Sequence, residues 1–302
     1  MVNASIAAEY VALATMQGAI VALPHPAALE RLGRLRSPAW ALVAHGSLLV
    51  GTFGVLALPL LASGLVLSAQ IATPVLAAIA VMAVVHGRQR RLLLAPLALG
   101  VAAAVGPGWP GELAASLLTA LGCLTLGAAF VRLTPARWLH LGVLSMIAVD
   151  VLLLALGVGQ PAAALLREAL GSTVQPAFDG AELGNVSVDY PDLVLAAVLG
   201  AIVADRAVQR PAALLVAILA TAYGALFAFA EMLPATVPLA VVLMLVERGP
   251  RRGPRRRRIK SLAAAAAQTQ AARGQAIRAT RAVVAMRGER LPSASMAWTA
   301  TR

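Results

Sequence analysis

Two aspartates stand in otherwise apolar stretches, Asp150 within Ser145-Met-Ile-Ala-Val-Asp-Val-Leu-Leu-Leu154 and Asp192 at the head of Asp192-Leu-Val-Leu-Ala-Ala-Val-Leu-Gly-Ala201. An ionised carboxylate near the centre of a bilayer costs about 2.5–3.5 kcal/mol on the insertion scale, so each such residue marks a candidate functional site. If the two face one another, burial and mutual repulsion cannot both be relieved while both are ionised, and one carboxyl holds a proton. A protonated acid beside an ionised partner is general acid–base chemistry: one polarises an amide carbonyl while the other takes a proton from water. Taken singly, Asp150 also reads as a packing polar residue bonded to Ser145 or Thr134, and Asp192 as a first-turn acid that complements its helix dipole. Asp189 is an alternative second carboxylate, but it stands outside the apolar run.

The segments that carry these acids are of membrane character. The chain has 302 residues, of which 60% are hydrophobic and 13% charged, with a mean hydropathy of +0.82. One soluble core could not hide that much apolar surface. Apolar runs long enough to approach about 30 Å of hydrocarbon predict an all-α, polytopic fold of nine transmembrane helices near 5–23, 39–66, 71–86, 92–106, 112–130, 138–158, 190–205, 211–231 and 233–247. The first run lacks a basic leader and carries Glu9, so it reads as a span rather than a secretion signal. Arginines follow the odd-numbered spans: Arg31, Arg34 and Arg36, then Arg88, Arg90 and Arg91, then Arg132 and Arg137, then Arg206 and Arg210. The opposite connections, around Gln70, 107–112 and 159–189, are neutral or acidic. Positively charged connections stay on the cytoplasmic side, which predicts an outward N-terminus and a cytoplasmic C-terminus.

The net charge of +12 resides in the tail, since 248–302 holds fourteen of the 25 basic residues and a single acid, Glu289. Arg251, Arg252, Arg255 to Arg258 and Lys260 directly follow the last span and predict attachment to anionic lipid headgroups. No reading surface or interleaved aromatics accompany the run, which argues against nucleic-acid binding. The Ala-rich stretch beyond reads as an interfacial helix or as disordered. Lys260 is the single lysine, a bias that fits a GC-rich bacterial genome and an inner-membrane location. Cys123 is alone and reads as a buried small hydrophobe, and the four histidines show no ligand spacing; no metal or cofactor is expected. Within 159–189, Pro161 to Leu170 predicts a short amphipathic helix in the outer interface, followed by a polar segment. Tyr223-Gly224 reads as a packing notch.

A third feature joins the aspartates: Leu233-Pro-Ala-Thr-Val-Pro-Leu-Ala240 opens the ninth span with two prolines that leave backbone groups in need of partners. On these residues the chain resembles the presenilin and signal peptide peptidase family of intramembrane aspartyl proteases. That family has nine spans, an aspartate in the sixth, a Gly-x-Gly-Asp motif opening the seventh and a Pro-Ala-Leu motif opening the ninth. Here Val149-Asp150-Val151 falls in span six, Asp189-Tyr190-Pro191-Asp192 opens span seven, and Pro234-Ala235-Thr236 opens span nine, with matches confined to 138–247. The two motif glycines are replaced by Tyr190 flanked by Asp189 and Pro191, and Thr236 replaces the leucine. The resemblance implies Asp150 and Asp192 as catalytic acid and base, and Tyr190, Pro191, Pro234, Ala235 and Thr236 as the residues that receive an unwound substrate. Its substrates would be transmembrane proteins or signal peptides, in the inverted type II orientation. Two rivals remain on the residues alone: a proton- or cation-coupled transporter using the same carboxylates, and a catalytically inactive membrane scaffold.

Overall fold

The computed structural model describes residues 4–23, 27–85, 94–106, 108–170, 178, 180–184, 186–204, 208–228 and 236–248. They form α1 (Ala4–Ala22), α2 (Trp40–Ala57), α3 (Pro59–Val85), α4 (Ala95–Val105), α5 (Trp109–Leu133), α6 (Ala136–Ala155), α7 (Gly159–Leu170), the strands β1 (Gly180–Leu183) and β2 (Val186–Asp189), then α8 (Tyr190–Val203), α9 (Gln209–Gly224) and α10 (Thr236–Arg248). The expected basic tail, with Pro234 and Ala235, lies outside the described residues.

Among the described residues five helices, α1, α2, α3, α5 and α6, are long and apolar enough to cross a membrane, and α4, α8 and α10 are shorter apolar helices. The chain is a mostly helical, membrane-embedded protein. Its axis is α5: 67% of that span is buried, against 12% of α2. Around α5 pack α3, α4, α8 and β1. Helices meet closely in a bilayer where small residues let backbones approach. Gly127 of α5 accordingly lies against Ala197 of α8, and Gly18 of α1 against the carbonyl of Ala213 in α9.

Helix α9 is also tied to α1 by a cap. The side-chain amide of Gln209 donates to the carbonyls of Val21, Ala22 and Leu23 at 3.0, 3.3 and 3.2 Å. These belong to the last turn and exit of α1, where carbonyls lack helical partners. Gln209→Ala is expected to lower the unfolding free energy by about 1 kcal/mol, because partly buried acceptors lose their donor. Thermal unfolding in detergent measures it.

Three expectations need correction. The break between the second and third helices falls at Leu58–Pro59, and Gln70 lies inside α3 rather than in an outer connection. Pro59 lacks the N–H needed to continue α2 but suits a helix start, and Pro74 is accommodated within α3. The fold is mostly helical, as expected, but the polar segment after α7 holds a hairpin: β1 and β2 pair antiparallel, with Gly180 opposite Asp189 and Leu183 opposite Val186. The signal was present in sequence, since the dipeptide Gly184-Asn185 between two short alternating runs favours a hairpin turn, and Gly184 has φ +60°. The expected amphipathic helix forms, beginning at Gly159 rather than Pro161.

The hairpin is pinned to α5. The Ser116 hydroxyl both donates to the Glu182 carbonyl and accepts from the Glu182 N–H, each at 3.0 Å. The Glu112 carboxylate accepts from the N–H of Gly184 at 2.8 Å. Since both backbone groups of Glu182 point at α5, its partner Ser187 must present its own N–H and C=O on the far edge of β2. That strand runs directly into α8.

Candidate active site

Asp150 occupies the fifth position before the end of α6, about 7.5 Å along the axis from that end. Asp192 is in the first turn of α8, and Thr236 is the first residue of α10. All three therefore cluster toward one end of the helices, beneath the hairpin, and not at their midpoints. The reason is local: β2 ends at Asp189, so α8 starts below the hairpin and delivers its first-turn acid there.

The Thr236 hydroxyl donates to Oδ2 of Asp150 at 2.8 Å. Thr236 is 1% exposed and Asp192 6% exposed, whereas Asp150 is half-buried. The carboxyl of Asp192 lies within electrostatic range of both Asp189 and Asp150, and accepts a hydrogen bond from the Asp189 backbone N–H. That bond is one half of a capping box, with Asp192 at the third helical position reaching back to the N-cap. The first-turn reading and the paired-carboxyl reading of Asp192 thus coexist, because a carboxyl has two oxygens and the cap uses one. Helix α10 touches both α6 and α8, and α6 and α8 touch each other only sparsely. Thr236 ties the start of α10 to the acid of α6.

The expected partners of Asp150 are not the ones found. Ser145 donates to the Gly142 carbonyl at 2.9 Å, and the buried Thr134 hydroxyl has no hydrogen-bond partner among the described residues. Asp189 stands at the N-cap position of α8 and is exposed, as its position outside the apolar run implied. Tyr190 is half-buried and its hydroxyl donates to the thiol of Cys123 on α5, a contact that anchors the first turn of α8. No spacing rule links Cys123 to Tyr190, so this bond was not legible in sequence. Cys123 itself is fully buried, as expected of a small hydrophobe. Gly224 receives the ring of Tyr10, the predicted notch, while Tyr223 lies within electrostatic range of Asp150 and so faces the site.

Among the described residues no group of His, Cys, Asp and Glu side chains has the geometry of a metal site. No family model, no curated protein and no solved structure matches this chain.

Proposed function

We propose that the protein is an intramembrane aspartyl protease of the presenilin and signal peptide peptidase type, with nine spans, an outward N-terminus and a place in a bacterial inner membrane. One observation carries the reading: two carboxyls from separate apolar helices, Asp150 and Asp192, share an electrostatic neighbourhood at the start of α10. The pair holds one proton between its members. The ionised carboxylate takes a proton from water as the water oxygen bonds to the scissile carbonyl carbon, and the protonated partner gives its proton to the carbonyl oxygen. As the resulting diol collapses, one hydroxyl returns its proton to the carboxylate that had given one, the C–N bond breaks, and the amine leaves with the proton the base had taken. No cofactor enters these steps.

The environment supports such chemistry in two further ways. Thr236 bonds one oxygen of Asp150, and the other oxygen takes no part in that bond and can carry the proton. The far edge of β2 offers the N–H and C=O of Ser187 to an extended chain just ahead of Asp192. A transmembrane helix hides its amides in its own hydrogen bonds, so cleavage requires local unwinding, and strand addition re-satisfies the groups set free. On this reading the shorter helices α4, α8, α9 and α10, of 11, 14, 16 and 13 described residues, serve as the remaining four spans beside the five long ones.

The test is reconstitution of the full chain in vesicles with a reporter carrying one type II span, together with labelling by a transition-state mimic for paired carboxyls. Cleavage and labelling that compete with one another support the reading; an intact reporter and no labelling overturn it, and proton-coupled solute uptake would favour a transporter. Within this reading Thr236→Val lowers the cleavage rate by about 10- to 100-fold, the worth of one hydrogen bond to a charged group, while Thr236→Ser retains most of it. Initial rates at saturating reporter measure the difference.

A further inference from the structure

The hairpin is bound to α5 well below the end of that helix. Ser116, which holds Glu182, stands about 10.5 Å along the axis from the start of α5 at Trp109, and Cys123, which holds Tyr190, about 21 Å. That start lies at an apolar boundary. Val105 at the end of α4 is 77% exposed and Trp109 is 69% exposed, an aromatic of the kind that settles at the membrane interface. On α6, Val151, Leu152 and Leu156 are exposed as well, all between Asp150 and the hairpin end of the molecule. Hydrocarbon therefore surrounds the bundle at the level of the strands. Helix α8 is the shorter for it, with 14 residues, since the hairpin takes up the rest of that column.

At this depth the strands have one dry face and one polar face. Ala181 pairs with Val188 and Leu183 with Val186 on the first, and Ala181, Val186 and Val188 are buried in the core. The second pairs Glu182 with Ser187 and Gly180 with Asp189, and Ser187 and Asp189 are exposed. The far edge of β2 adds the N–H and C=O of Ser187. Open strand edges and carboxylates do not face lipid; non-helical backbone at membrane depth persists only inside protein or along a water-filled cavity. Protein does not cover Ser187 and Asp189, which leaves water.

We propose that a water-filled vestibule opens at the hairpin end of the molecule and descends along the polar face of the hairpin to the first turn of α8, where Asp192 stands. Glu182, Ser187 and Asp189 form its polar wall, and water enters from the side opposite Arg36, Arg132 and Arg137. In the proposed protease this is the route of the hydrolytic water, but the vestibule rests on the depth and the two faces of the hairpin and not on that activity.

The test is the reactivity of one introduced thiol with a charged, membrane-impermeant methanethiosulfonate, in sealed membrane vesicles of a single orientation from cells producing the full chain. The unsubstituted chain sets the background, since Cys123 is fully buried. Ser187→Cys is expected to react about 100-fold faster or more than Leu152→Cys, because the thiolate is the reacting form and apolar surroundings suppress it. It reacts from the face of the vesicle at which Arg137→Cys is shielded. Asp189→Cys behaves alike and serves if Ser187→Cys does not fold. Equal, slow rates at 187 and 152 overturn the proposal, because the strand then lies against lipid or protein. Equal, fast rates overturn it too, since lipid then does not reach the level of the hairpin. So does reaction from the same face as Arg137→Cys, which would put the opening at the basic end. These rates need no cleavage: an inactive chain with a fast Ser187→Cys would sink the protease and keep the vestibule, and an active chain with a slow one the reverse.

Discussion

Asp150→Asn and Asp192→Asn each reduce cleavage of a type II reporter by about 10²–10⁴-fold, the span that general acid–base catalysis supplies. Asparagine keeps the shape of the side chain but can neither take the proton from water nor return it. The double variant is no slower than either single one, since a pair that shares a proton acts as a unit and removal of one member already ends the reaction. Thermal unfolding separates this loss from misfolding. In Asp150→Asn the new amide oxygen can still accept from Thr236, and in Asp192→Asn it can still accept from the Asp189 N–H, so both variants retain the observed hydrogen bonds. Unchanged reporter processing in both single variants would dismiss the carboxyl pair as the catalytic centre. Loss in one variant alone would replace the pair by a single acid.

Gly127→Leu is expected to destabilise the fold by about 3 kcal/mol or more, toward or beyond the top of the range for overpacked sites. A Cβ at this position would stand 2.5 Å from both the carbonyl carbon and the Cβ of Ala197, and 2.7 Å from the Val198 nitrogen. Two of those three atoms are backbone, so no rotamer change relieves the clash and α5 and α8 must part. Because α8 carries Asp192 and the α5 side of the contact also holds Cys123 against Tyr190, the damage spreads to the site. Gly51→Leu, on α2, is the control, since a Cβ there meets nothing within 4 Å. The comparison is the temperature at which each variant loses its helical circular dichroism in detergent; equal values for both would refute the close α5–α8 contact.

Several features were legible because they are local. Apolar runs located the helices of the described chain, with boundary errors where a proline could either end or begin one, as at Leu58–Pro59. An apolar run interrupted by the adjacent charges Arg167 and Glu168 over Pro161 to Leu170 announced α7. The spacing of arginines separated one end of the molecule, with Arg34, Arg36, Arg132 and Arg137, from the other, with Glu9, Glu112, Glu182 and Asp189. The hairpin was also signalled, by Gly184-Asn185, yet strands of four residues bury too little by themselves to outweigh a reading as polar loop. Their stability comes from Ser116 and Glu112, which stand 66 and 72 residues away from the groups they bind.

The sequence by itself determined that this chain belongs in a membrane and which residues are too polar for their surroundings: Asp150, Asp192 and the arginines that follow alternate spans. Those are properties of composition and short-range order, fixed by the free energy of moving each group from water into hydrocarbon. Only the tertiary structure decided which polar groups meet. Thr236 reaches Asp150 across 86 residues, Tyr190 reaches Cys123, and the Thr134 hydroxyl reaches no partner among the described residues. In a helical membrane protein these partnerships depend on how each helix is rotated about its axis. Small-residue contacts such as Gly127 with Ala197 set that rotation, and no single helix contains both halves of such a contact.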